Sequence, residues 1–131
     1  MLALIIDDEL SMRSLLQAHC KPMNNVRTIT ARNGQEGLEV IQTEQPDIIF
    51  SDLNMPVMDG HTLWQILRAD AKTQTIPFVL ITSEVKADGK IGKNKKEIEH
   101  IGRDPHGYVL GKSDVKRERL LEIIESVRPK P

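Results

Sequence analysis

The chain has a single cysteine, Cys20. It can form no internal disulfide and no thiolate metal cluster, which fits a reducing compartment. Aromatic residues make up only 3% of the sequence, leaving few surfaces on which bases or sugars could stack. Neither sign of charge is in excess: 18 Lys and Arg face 19 Asp and Glu, a formal net charge of -1. That balance speaks against a general nucleic-acid binder. No run approaches the ~18 apolar residues of a membrane span. The N-terminal apolar stretch, Leu2 to Ile6, lacks a basic flank and runs straight into Asp7-Asp8-Glu9, unlike a signal peptide. The location these absences predict is cytoplasmic, with no membrane partner. There is no internal repeat, low-complexity tract or long linker in the 131 residues, so a single domain with one core is expected.

What the chain does contain is an alternation of short apolar runs and helical patterns. Five runs read as strands: Leu2 to Ile6, Val26 to Ala31, Ile48 to Phe50, Phe78 to Ile81, and Tyr108 to Leu110. Most are continuous rather than alternating, as strands covered on both faces should be. Val26 to Ala31 is mixed and belongs nearer an edge. Between the runs, Ser11 to Cys20 and Gln35 to Thr43 carry apolar residues at helical spacing. A third helix should start near Asp59-Gly60 and end before Pro77, a fourth should cover Asn94 to Ile101, and a last one Val115 to Val127. The pattern is (βα)5, a doubly wound parallel sheet of five strands. Right-handed crossovers then bring every strand's carboxyl end to one edge.

That topology converts sequence positions into a site. Asp7 and Asp8 follow the first strand, Asp52 the third, Thr82 ends the fourth and Lys112 follows the fifth. With a strand order of 2-1-3-4-5, the first and third strands flank the switch point where open α/β sheets bind ligands. Carboxylates brought so close need a raised pKa or a cation, and an all-oxygen donor set suits Mg²⁺. Taken singly, each residue has a plainer explanation. Asp-Asp-Glu complements a helix dipole, Asp52 caps a turn, Thr82 is a β-branched strand residue and Lys112 is a solvated charge. The coincidence of all of them on one edge favours a site.

The motifs Ile-Ile-Asp-Asp-Glu (5 to 9), Ala-Arg-Asn-Gly-Gln-Glu-Gly-Leu (31 to 38), Pro-Asp-Ile-Ile-Phe-Ser-Asp-Leu-Asn-Met-Pro-Val-Met-Asp-Gly (46 to 60), Ile-Thr-Ser (81 to 83) and Lys112 resemble those of receiver domains of two-component response regulators, the single-domain chemotaxis regulators among them. The resemblance covers nearly the whole chain and implies a flavodoxin-like receiver over residues 1–128, with 129–131 a tail or the start of a linker. It implies that Asp52 accepts a phosphoryl group from a sensor histidine kinase or a phosphotransfer protein. Asp8 would hold Mg²⁺ directly and Asp7 mainly through water, with Asp52 and the Asn54 backbone carbonyl completing the protein ligands. Thr82 and Lys112 would clamp the phosphoryl oxygens, and Asn54 and Glu84 are accessory positions that tune phosphate lifetime, beside Ser83. Output would pass through the face of the fourth helix, fifth strand and fifth helix to a protein partner, from a monomer or a phosphorylation-dependent dimer, without direct DNA binding. A receiver-shaped interaction module that acts without phosphorylation is the alternative. A Mg²⁺-dependent phosphatase with a nucleophilic Asp would need an acid two residues after Asp52, where Asn54 stands.

Two departures from the family pattern carry expectations. The switch aromatic usually lies three residues before the Lys and a Pro follows it; here Tyr108 lies four before Lys112, and Ser113 replaces the Pro. Side chains alternate along a strand, so a bulge at Gly111 is expected to restore the register, with a trans Lys112–Ser113 bond. The stretch from Thr82 to Lys112 is also several residues longer than usual. Its extra chain, Lys86 to Lys96, holds five lysines and reads either as a solvated mobile loop or as an altered surface for an acidic partner. Cys20 reads as a small buried hydrophobe. His19, His61, His100 and His106 read as scattered, without a metal-site or phosphorelay pattern.

Overall fold

The computed structural model describes residues 1–128. The tail assignment at 129–131 lies outside them. Five parallel strands, β1 (Leu2–Ile6), β2 (Arg27–Ala31), β3 (Ile48–Ser51), β4 (Phe78–Thr82) and β5 (Gly107–Gly111), pair in the order β2-β1-β3-β4-β5. Helices α1 (Leu10–Cys20), α2 (Gly34–Glu44), α3 (Gly60–Arg68), α4 (Lys95–Gly102) and α5 (Arg117–Val127) alternate with them. The α/β class, the strand order and the edge position of the mixed β2 run are as the sequence predicts. Among the described residues no helix is long and apolar enough to cross a membrane.

The continuous apolar runs acquire their meaning here, because the sheet is covered on both faces and the chain builds two core clusters rather than the one expected. Ala3, Ile5, Ile48, Phe50, Val79 and Ile81 face α1 and α5, where Leu16, Cys20, Leu120, Ile123 and Ile124 meet them. Leu4, Ile6, Ile49, Phe78 and Leu80 face the other way, onto Ile41, Leu63, Trp64, Leu67, Ile98 and Ile101 of α2, α3 and α4. Burying each large side chain contributes about 1.5–3 kcal/mol, so the two layers supply most of the folding drive. Caps fix where two helices begin. The Asn33 side chain accepts the Glu36 N–H at 2.9 Å ahead of α2, and Asp59 accepts the Thr62 N–H at 2.7 Å ahead of α3.

Two expectations need correction. The strand β5 runs in unbroken register against β4, Thr82 opposite Gly111, so the bulge at Gly111 is absent. Gly111 has an ordinary extended backbone (φ -72, ψ 148). A glycine is needed there for space, because a Cβ would lie 2.7 Å from the Val85 carbonyl oxygen passing over it. Without the bulge, strand alternation puts Tyr108 on the α1/α5 side, its hydroxyl 3.5 Å from Ser126 Oγ, while Val109 takes the α4 side. The last helix starts later than expected, since the chain first makes a 3-10 turn over Lys112–Asp114. The lysine-rich stretch, expected as a solvated loop or a partner surface, has a local backbone shape. Val85 bridges Ile91, and the Lys86 N–H donates to the Lys90 carbonyl at 2.8 Å, making a small hairpin ahead of α4. All peptide bonds of the described residues are trans, Lys112–Ser113 included.

A polar staple that sequence pattern did not reveal ties α3 to the α4–β5 turn. Asp104 accepts from Arg68 Nε at 2.6 Å and from Trp64 Nε1 at 2.7 Å, while the rest of the Arg68 fork donates to the carbonyls of Thr73, Ile76 and His106. Burial opposes charge on Asp104, but these donors and the His106 N–H hold its carboxyl below the usual range. A depressed folded-state pKa stabilises above the unfolded value and loses that contribution as pH falls through the folded one. Asp104→Ala, which leaves Arg68 and Trp64 without their shared acceptor, is expected to cost about 3 kcal/mol at pH 7, measured by urea unfolding, and the penalty should shrink on acidification below pH ~4.

Candidate functional site

The carboxyl ends of β1, β3, β4 and β5 meet in one crevice. The short βα turns deliver the side chains: Asp7 leaves β1 with its N–H donated to the Ala31 carbonyl, and Asp52 leaves β3 with its N–H donated to the Ile6 carbonyl at 2.9 Å. Both carboxylates are buried, Asp7 1% and Asp52 6% exposed. Each is held by one backbone donor, the Glu9 N–H to Asp7 Oδ1 at 2.9 Å and the Leu53 N–H to Asp52 Oδ1 at 2.8 Å. The helix α3 presses close behind: at Gly60 any Cβ would run into the Asp52 carbonyl, so the residue after the Asp59 cap has no room for a side chain.

Lys112 reaches this crevice without a bulge, because the 3-10 turn redirects its side chain where the strand ends. Its ammonium lies 3.6 Å from Asp52 Oδ2, 4.0 Å from Asp7 Oδ2 and 3.3 Å from Glu9 Oε1. Desolvation disfavours charge on Lys112, but Asp52, Asp7 and Glu9 outweigh it and raise its pKa. The balance differs for the acids. Burial, then the charge of Asp7, pushes Asp52 up to about 6 despite Lys112, and burial also raises Asp7. One ammonium does not neutralise the cluster.

Asp7, Asp8, Glu9 and Asp52 each offer a carboxylate oxygen, all within 4.8 Å of one another. This oxygen-only set fits a hard divalent cation. Asp8 is exposed at the mouth, and Glu9, which the motif reading did not single out, joins both the acidic group and the Lys112 pair. Thr82 is fully buried at the end of β4, its hydroxyl accepting the Glu84 N–H at 3.1 Å. Ser83 is exposed next to it. Glu84 binds three groups: Asn54 Nδ2 at 2.7 Å, the Asn94 N–H at 2.7 Å and Asn94 Nδ2 at 2.6 Å. These hydrogen bonds overcome partial burial and lower its pKa. They join the β3–α3 loop to the start of α4. Tyr108 is not among these neighbours, since its strand position turns it toward α5.

The β3–α3 loop also stores strain. Val57, 81% exposed, sits at φ 71, a left-handed conformation costly for a β-branched residue. Nothing in the pattern of apolar residues marks it.

The matching family, the response regulator receiver domain, covers residues 3–99. The chain belongs to that family, the receivers of two-component signalling. It is 29% identical over 126 residues to the chemotaxis protein CheY of Pseudomonas aeruginosa, covering 95% of this chain and 96% of that one. It is 34% identical to the sensor histidine kinase CheAY of Helicobacter pylori over 92% of this chain but only 15% of the kinase, and it spans 61% of the response regulator Rre1 of Synechocystis. Among solved structures, chemotaxis protein CheY4 of Vibrio cholerae superposes with a TM-score of 0.76 at 27% identity, over 96% of this chain and 97% of that one.

Two measurements follow from this geometry. A carboxyl whose folded-state pKa is raised from 3.8 to about 6 binds its proton more tightly in the folded protein than in the unfolded chain. Its contribution is therefore fullest at low pH and declines as pH rises from about 4 through about 6, leaving ionised Asp52 about 2–3 kcal/mol unfavourable in the absence of a cation. Asp52→Asn in EDTA should raise the unfolding free energy by about 1–3 kcal/mol at pH 8, part of the gain being offset by loss of the Lys112 pair, and by nothing at pH 4. Val57→Asn should stabilise by about 1 kcal/mol in chemical unfolding, since Asn tolerates the left-handed region and no buried contact is lost.

Proposed function

We propose that the chain is a phosphoryl-accepting signalling switch in which Asp52 takes the phosphoryl group from a sensor histidine kinase or phosphotransfer protein. The observation that carries this reading is the burial of Asp52 beside Asp7, with Lys112 Nζ 3.6 Å away. A pKa near 6 leaves the carboxylate ionised at neutral pH yet more basic, hence more nucleophilic, than an ordinary Asp. As one Asp52 oxygen forms a bond to phosphorus, the phosphorus–nitrogen bond to the donor imidazole breaks and the imidazole leaves with the electron pair.

Phosphoryl transfer depends on positioning and on neutralising the equatorial oxygens. Lys112 supplies a cation on one side, and the Thr82 hydroxyl, whose oxygen already accepts from Glu84, has its proton free to donate on another. Mg²⁺, held by Asp7, Asp8 and Asp52 with the Asn54 backbone carbonyl, would supply the remaining positive charge. Glu9 stands close enough to add to that acidic set. In this reading the receiver unit is 1–128 and signals to a protein partner through the α4-β5-α5 face. Asn54 and Glu84 set the lifetime of the phosphate, and direct DNA binding plays no part.

One observation favours a second reading, an interaction module that works without phosphorylation: Val109, not an aromatic, holds the α4-side position of β5, and Tyr108 faces α5. The two readings separate in one experiment. With acetyl phosphate and Mg²⁺, intact-mass spectrometry should show one phosphoryl adduct that disappears with EDTA and in Asp52→Asn. Absence of the adduct in the wild-type chain, with Mg²⁺ shown to bind, would favour the second reading.

A further inference from the structure

Two of the four histidines meet at the junction of α3 and α4, away from the acidic crevice. His61, in the first turn of α3, places Nε2 3.2 Å from Nδ1 of His100, in the last turn of α4. Trp64 fixes both rings: its indole stacks against His61 with centroids 5.6 Å apart and 26° between planes, and meets His100 edge-on at 4.5 Å and 73°. The pair opens on a shallow groove of about 270 Å³ lined by both histidines, Glu97, Lys96 and Arg103.

We propose that His61 and His100 form a two-imidazole binding site for a divalent transition-metal ion of the Zn²⁺, Ni²⁺ or Cu²⁺ class, with water filling its remaining positions. Two imidazole nitrogens each about 2.05 Å from one tetrahedral ion stand about 3.3 Å apart, close to the separation here. Neutral imidazole is a ligand of choice for these ions, and Cu²⁺ should bind most tightly by the usual order of divalent affinities. In the metal-free pair a single proton lies between the facing nitrogens. Binding moves it to the outer nitrogen of the same ring, so each histidine keeps one proton and the ion takes both inner lone pairs. Mg²⁺, which prefers oxygen ligands, does not compete here. The site is therefore chemically separate from the crevice at Asp52. Because the ligands come from two helices, the ion would cross-link α3 to α4, whose N-terminal approach Glu84 ties to Asn54.

Trp64 is the only tryptophan of the chain, which gives the site its own reporter. The full chain in excess Mg²⁺ is titrated with NiCl₂, following tryptophan fluorescence and counting bound ions by native mass spectrometry. One Ni²⁺ should bind with saturable quenching. His61→Gln and His100→Gln, both changes of accessible side chains, should each weaken binding about tenfold or more, since removing even an outer-shell partner commonly costs 10–100-fold. Asp7→Asn should leave Ni²⁺ binding unaltered. Equal affinity in wild type and both histidine variants, no saturable binding, or loss of binding in Asp7→Asn would each overturn the proposal.

Discussion

Asp7 and Asp52 are buried side by side at the carboxyl end of a parallel sheet, and the rest of the molecule is arranged around that burden. Two carboxylates withdrawn from water repel one another and lose hydration, which is why burial leads the causes that lift both of them. The fold tolerates the cost because its two apolar layers are well filled, with the central strand residues Ile5, Phe50, Val79 and Leu80 almost fully enclosed. Relief comes only in part from Lys112, so the crevice is left with a standing affinity for positive charge. The missing side chain at Gly60 belongs to the same requirement, since the backbone there passes close behind Asp52.

Much of this was legible before any coordinates. The long apolar runs could be read as doubly covered strands, and the positions of Asp7, Asp52 and Thr82 at strand ends follow from that reading alone, because a parallel sheet collects its carboxyl ends on one edge. What stayed hidden depends on tertiary geometry. Lys112 lies beyond the strand, so alternation does not govern it, and a 3-10 turn brings it into the crevice. Tyr108 remains inside the strand and obeys alternation, which turns it to α5. Gly111 suggested backbone freedom and instead answers to the Val85 carbonyl above it. The Arg68–Asp104–Trp64 staple joins residues up to 40 apart with no local periodicity to announce it.

The lysine-rich stretch shows how a loop gains order from a few polar contacts. Its backbone closes a small hairpin through Val85 and Ile91, and Glu84 at its root gathers Asn54 and Asn94. Those hydrogen bonds run from two residues past Asp52 to the start of α4. A change of charge in the crevice thus has a short physical route to the helix that the proposed output face contains, and the His61–His100 pair lies at the other end of that helix.

The most direct measurement is the pKa of the Asp52 carboxyl in the full chain, followed by carbon-13 NMR across a pH titration in EDTA and repeated with Mg²⁺. A value near 6 without the ion is expected, falling when Mg²⁺ is added. An ordinary value near 3.8, unchanged by Mg²⁺, would contradict the view that an under-neutralised pair of buried carboxylates organises this site.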